Sequence, residues 1–237
     1  MTGALAVMAS YGTVVSPAFS NPTQTTGSAV TTSAISPFAG GGNSYIFSSS
    51  VNSYLSFPAS ADWAMGTGDF TVEWFSRQTT LTQFQRIFTV GDYPSIAFGV
   101  SIESGTFYYW SGGDADTEYG SSSATTINTW YHWAVVRSGT TLSVYRDGTL
   151  RGTTVSNTDN INNVATAFIV GNTNTFATNA AVVGAITNFR LVKGLAVYTG
   201  NFTVPTSALT ATAGVNPYGG SNTAAIGAGF TKLLLVP

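Results

Sequence analysis

The hydrophobic and polar positions of the chain fall into short alternating runs separated by polar, glycine-bearing turns. In GDFTVEWFSR (68–77), Phe70, Val72 and Trp74 alternate with Thr71, Glu73 and Phe75, the two-residue period of a strand whose two faces meet different surroundings. WYHWAVVR (130–137) repeats the pattern. Trp130, His132, Ala134 and Val136 share one face, and Tyr131, Trp133, Val135 and Arg137 share the other. Similar runs predict two short strands around a polar turn in 43–57, and further strands at 84–90, 95–102, 106–110, 141–146, 149–155, 166–171, 182–192 and 231–237. Ser104-Gly105 and Asp147-Gly148 read as two-residue hairpin turns, and Ser138-Gly139-Thr140 as a third turn. About a dozen strands with turn signals roughly every 8–12 residues predict an all-β, two-sheet antiparallel sandwich or jelly roll. No segment carries a long helical period.

Ahead of these runs, residues 1–42 are rich in Ser, Thr, Ala, Gly and Pro and read as an extended amino-terminal arm, with 43–237 as the sandwich domain. Charge is absent from both ends: the first charged side chain is Asp62, and none lies between Gly200 and Thr231. A free solvated arm is normally kept soluble by charge, whereas interface cores are depleted in it. The expectation is that residues 1–42 and 206–230 lie against neighbouring subunits of a homo-oligomer or against other proteins of an assembly.

Composition sharpens this picture. Only 8% of the 237 residues are charged, the formal net charge is −2, and cysteine is absent. The basic footprint of a nucleic-acid binder is therefore missing, and a chain of this length must build its core without disulfides. Its polarity comes from 36 Thr, 26 Ser and 15 Asn, of which Thr favours strands. The opening MTGALAVMASYGTVVSP looks superficially like a signal peptide but lacks a basic start and a continuous apolar run. No window approaches the roughly 18 apolar residues of a membrane span, so membrane insertion is not expected.

Three stretches carry a family resemblance. SYIFSSSVNSYLSFPASADWAMGTGDFTVEWF (44–75) resembles the opening of laminin G-like domains of the concanavalin A-like jelly-roll superfamily. WYHWAVVRSGTTLSVYRDG (130–148) resembles their central hairpin, and GAITNFRLVKGLAVYTGNFTVPTSAL (184–209) their closing strand and crossing loop. The last is similar to the version found in phage and large-virus structural proteins. The resemblance spans roughly residues 40–236 and implies the jelly-roll fold. It leaves function open, because this fold hosts lectins, glycanases, adhesion modules and structural parts.

Among residues able to carry chemistry, His132 is the sole histidine. A catalytic histidine needs a nucleophile or an orienting carboxylate, and no motif supplies one, so His132 reads as a packed core residue with hydrogen-bonded nitrogens. Asp114, Asp116 and Glu118 alternate as the carboxylates of a jelly-roll glycanase do, yet Asp114 stands where the nucleophile would be Glu, and the Gly112-Gly113 setting reads as a loop. The expectation is therefore no catalytic residue. The same acids with Asp92 could hold Ca²⁺ through hard oxygens, the only cofactor the sequence suggests. Tyr108, Trp110 and Tyr119 beside them are candidate contacts for a glycan or a partner. Arg137, Arg146, Arg151, Arg190 and Lys193 read as solvated strand faces and edges.

The uncharged ends and the phage-like motifs favour a non-enzymatic virion structural protein, a capsid decoration, cement or tail-associated jelly roll. The alternative is a secreted or tail-fibre adhesin that binds glycan through rim loops around 91–94, 108–119 and 157–163.

Overall fold

The computed structural model describes residues 19–81, 84–92, 95–112, 116–118, 125–162 and 164–237. The described strands are β1 (Thr25–Thr26), β2 (Thr31–Ser33), β3 (Ser44–Phe47), β4 (Leu55–Phe57), β5 (Phe70–Gln78), β6 (Phe84–Val90), β7 (Phe98–Glu103) and β8 (Thr106–Ser111). They continue with β9 (Asp116–Glu118), β10 (Tyr131–Ser138), β11 (Thr141–Arg146), β12 (Thr149–Leu150), β13 (Val155–Ser156), β14 (Phe168–Val170), β15 (Gly184–Lys193) and β16 (Thr231–Leu235). One sheet runs β1-β4-β14-β6-β7-β8-β9. The other runs β12-β11-β10-β5-β15-β3-β2, with β13 on β11 and β16 on β15. This is the predicted two-sheet antiparallel sandwich.

The predicted turns close three hairpins, with Gly139 at φ 58° in the β10–β11 turn. Ser104 and Gly105 have φ of 50° and 86°, and Asp147 and Gly148 have 50° and 72°, the doubly positive pair that matches strand twist. Two expectations change in detail. The strands of 43–57 do not form a hairpin, because β3 joins the nine-stranded sheet and β4 the seven-stranded one. The run 149–155 splits, because β12 pairs with Tyr145 and Arg146 while β13 pairs with Thr141 and Leu142, and between them the Arg151 N–H still donates to the Val144 carbonyl at 2.8 Å.

Between the sheets the alternation resolves into an aromatic core. Phe70, Val72 and Trp74 of β5 point inward with Trp133 and Val135 of β10. The Trp74 ring stacks on Phe107 and Phe189, at 6.3 and 6.1 Å, and meets Phe88 edge-on at 6.0 Å. Burying aromatic surface of this kind supplies most of the driving force for the sandwich.

Both uncharged segments lie against the chain itself wherever they are described. Asn21 pairs in both directions with Leu234 of β16, at 2.5 and 2.8 Å. Gly27 and Ala29 then donate to the Tyr54 and Asn52 carbonyls, β1 adds to β4, and β2 adds to β3. Residues 21–33 thus lace the open edge of the sandwich, from one sheet to the other and back. A Cβ on Gly27 would stand 2.1 Å from the Asn52 oxygen, so only glycine permits that approach. At the other end, residues 194–230 cross the outer face of the nine-stranded sheet. Val197, Tyr198, Phe202 and Ile226 bury a second apolar cluster there against Ala134, Val136 and Tyr145. A bulge in β15 anchors this crossing: Asn188, at φ 51°, accepts from the Leu209 N–H and donates to the Thr187 hydroxyl. Among the described residues no helix is long and apolar enough to cross a membrane.

Candidate functional site

The chemistry-bearing residues gather in three places, and strand register explains each. The first lies on the outer face of the nine-stranded sheet, under the crossing segment. Glu73 of β5 stands opposite Arg190 of β15 and Ala134 of β10, which brings His132 to the diagonal position. Glu73 Oε1 accepts from Arg190 Nε at 2.9 Å and Nη2 at 2.5 Å. Its Oε2 takes the Tyr198 hydroxyl at 2.7 Å and faces His132 Nε2 at 3.1 Å. Burial would raise the Glu73 carboxyl, but the Arg190 charge, with His132 and Tyr198 behind it, holds it down at about 2. Burial and the adjacent carboxylate push the Tyr198 hydroxyl well up. All four groups are buried.

His132 is therefore core, as the sequence predicts, but it has a carboxylate partner that the sequence reading missed. Glu73 lies 59 residues away, and the only signal for it was its place on the outward face of β5. The prediction that both imidazole nitrogens are bonded is corrected: among the described residues Nδ1 has no hydrogen-bond partner.

The second place is the rim. Arg137, at the end of β10, donates to the Gly66, Gly68 and Asp159 carbonyls and to Asn157 Oδ1 at 2.6–3.1 Å. Asp159 Oδ2 takes the Ser111 hydroxyl at 2.5 Å and Asn157 Nδ2 at 3.0 Å. Two of the three predicted rim loops, 108–119 and 157–163, thus meet here. Their oxygens are arranged around a guanidinium and hydroxyl donors, so this cluster does not suit a metal ion. The reading of the arginines as solvated strand faces is overturned for Arg137 and Arg190, which are 0% and 3% exposed, while Arg146, Arg151 and Lys193 are partly exposed; Arg86, which that reading did not include, is also buried, at 2%. In a chain with so few charges, three arginines serve as internal struts.

The third place is the outer face of the seven-stranded sheet, where β8 carries Tyr108 and Trp110. Tyr108 is half-buried, and Trp110 is 9% exposed. The Trp110 Nε1 donates to Ser101, and the Arg86 guanidinium covers its ring at 4.8 Å. Burial pulls Arg86 down to about 10, against the charges of Glu103 and Asp92. Asp92 accepts the Thr175 N–H through Oδ2 at 3.0 Å. Asp116 and Glu118 lie on β9, in register with Trp110 and Tyr108. Asp114 and Tyr119 lie outside the described residues. Among the described residues, no three His, Cys, Asp or Glu side chains converge as a metal site.

Comparison with known proteins matches this architecture. The model of the Laminin_G_3 family, described as the concanavalin A-like lectin/glucanases superfamily, matches residues 47–197. No curated protein sequence matches. Among solved structures, domain 4 of the extracellular GH43 arabinanase AbnA from Geobacillus stearothermophilus, in complex with arabinotriose, superposes with a TM-score of 0.56 at 16% identity, over 73% of this chain and 83% of that one. The binding domain of Paraclostridial Mosquitocidal Protein 1 gives 0.52 at 13% identity, over 70% of this chain and 44% of that one. The botulinum neurotoxin serotype G binding domain gives 0.51 at 18% identity, over 73% and 44%. At these identities the superpositions establish the fold alone.

Proposed function

Since the chain belongs to the concanavalin A-like lectin/glucanases superfamily, we propose that it is a non-catalytic carbohydrate-binding module. One observation carries this reading. The sole histidine and the glutamate that meets it, which could otherwise serve as an acid–base pair, are bonded to Arg190 and Tyr198 and buried beneath residues 194–230. A general acid must reach its substrate, and the Glu73 carboxylate and His132 ring are buried. With 36 Thr, 26 Ser and 15 Asn against 8 Lys and Arg and 10 Asp and Glu, its polar side chains are mostly hydroxyls and amides, which suit a sugar. The arabinotriose complex of the AbnA domain supports the same class of ligand, and the toxin binding domains support binding without chemistry. The test is affinity electrophoresis on polysaccharides beside a reducing-sugar assay. Retarded migration without sugar release is expected. Release that Glu118→Ala abolishes would overturn the non-catalytic reading.

A second reading concerns where the module works. We infer a structural part of a virion, a decoration, cement or tail-associated protein, with the uncharged amino terminus as its attachment. The stretch 1–61 has no charged residue. Residues 21–33 satisfy themselves on the chain's own edge, which leaves Leu5, Val7, Met8, Tyr11, Val14 and Val15 as the apolar residues for a neighbouring subunit. A defined oligomer by light scattering, lost on deletion of residues 1–18 with the melting temperature kept, is the expected result. A monomer that also fails to bind particles would reject it.

A further inference from the structure

On the outer face of the nine-stranded sheet, beside the sealed ion pair, a cleft of about 340 Å³ stays open between the β10–β11 hairpin and residues 198–201. That is the lower end of the range for small-ligand sites. Its position follows from register. Val136 pairs with Ser143 and Ser138 with Thr141, and Tyr145 lies on the same face, so these side chains line one wall and the floor. The opposite wall is pinned. The Phe202 N–H donates to the Gly148 carbonyl at 2.9 Å, the Leu150 N–H to Asn201 Oδ1 at 2.9 Å, and Asn222 Nδ2 to the Asn201 carbonyl at 2.8 Å. The Tyr198 and Phe202 rings stack at 3.6 Å behind it. The cleft is therefore preformed, and a ligand would not have to order it.

The lining is unusual in its chemistry. Leu150, partly exposed, and the largely buried Val136, Tyr145 and Tyr198 form the apolar lining, Ser143, Thr141, Thr154 and Thr199 supply hydroxyls, and no charged side chain takes part. A sugar ring has the complementary make-up: apolar C–H faces and hydroxyls that both donate and accept. A carboxylate placed here would lose water and meet no cation, a cost nothing in the cleft offsets. We propose that this cleft is a binding site for neutral sugar residues, distinct from the rim loops and from the β8 aromatics. The inference rests on the carbohydrate-binding reading above and adds the place and the class of sugar.

The test uses the full chain against soluble arabinan, galactan, xylan and mannan, with polygalacturonate and polysialate as charged counterparts. Thr154→Trp, at an exposed position on the rim, fills the cleft. Tyr145→Phe keeps the ring that packs on Phe202 and removes only the hydroxyl. The expected result is binding to a neutral polymer, weakened at least about tenfold by Thr154→Trp and about three- to tenfold by Tyr145→Phe, with melting temperatures unchanged. Undiminished binding in both variants would overturn the cleft while leaving the carbohydrate-binding reading in place. Binding confined to the two charged polymers would overturn the neutral class. No binding of the native chain to any of the six would overturn the cleft and the reading together.

Discussion

The inner face of β5 and the outer face of the same strand are both sealed from water, yet they are made of different materials. Inward, Phe70, Val72 and Trp74 meet the rings of the opposite sheet. Outward, Thr71 and Glu73 meet Leu195, Arg190, His132 and Tyr198 through hydrogen bonds of 2.5–3.1 Å. The inner face needs only volume and apolarity, so neighbouring side chains can share its energy. The outer face needs particular partners, because each buried polar group there is costly if left alone. One face drives collapse, and the other determines where residues 194–230 lie and hence where the neutral cleft opens.

The sharpest way to break this comparison is to damage each face in turn. Trp74→Ala should cost roughly 3–5 kcal/mol by removing ring contacts and leaving a cavity. Glu73→Ala should cost a similar roughly 3–5 kcal/mol, because it strands the Arg190 guanidinium in a buried place. The two losses differ in how they are repaired. Adding Arg190→Met to Glu73→Leu should recover more than half of the loss in urea unfolding, since an apolar pair can replace a buried ionic one. A double variant as unstable as Glu73→Ala would show that the charge pair is not what the outer face depends on.

Acid probes the same site without changing the packing. The Glu73 carboxyl sits at about 2 in the folded chain against 4.5 when unperturbed. Below about pH 4.5 the unfolded chain takes the proton first, so the contribution of Glu73 is complete above that pH. It drains away as pH falls towards 2, a loss on the order of 3 kcal/mol. Urea midpoints measured from pH 6 to pH 2 should show this slope in the native protein and lack most of it in Glu73→Gln. Equal slopes would place the acid sensitivity elsewhere.

The smallest effect separates the two turns that flank β11. Gly139 and Gly148 both have positive φ, at 58° and 72°. A Cβ on Gly139 would meet nothing within 4 Å, whereas on Gly148 it would stand 2.1 Å from the Phe202 carbonyl oxygen. Gly139→Ala should cost about 1 kcal/mol from backbone strain alone. Gly148→Ala should cost at least about 2 kcal/mol, because the cleft wall must also move. Similar melting temperatures for the two variants would mean that the wall is not held by that turn.

Alternation, turn residues and composition determined the all-β class, the sandwich, the three Gly-closed hairpins and the burial of Trp74 and His132, because a two-residue period and a positive φ are local properties. They also marked Glu73 as facing away from Trp74. They could not show that this outward side is covered, since the cover comes from residues 194–230, more than a hundred positions away. For the same reason Arg137 and Arg190 read as surface charges: a lone arginine in a strand looks the same whether water or carbonyl oxygens surround it. The rim shows the limit again, where Ser111, at the end of β8, and Asn157 and Asp159, more than forty positions away, meet only when the sandwich closes. The cleft beside the hairpin has no sequence signature at all, because its walls come from β10, β11 and the crossing segment, and only their packing decides that a neutral gap remains between them.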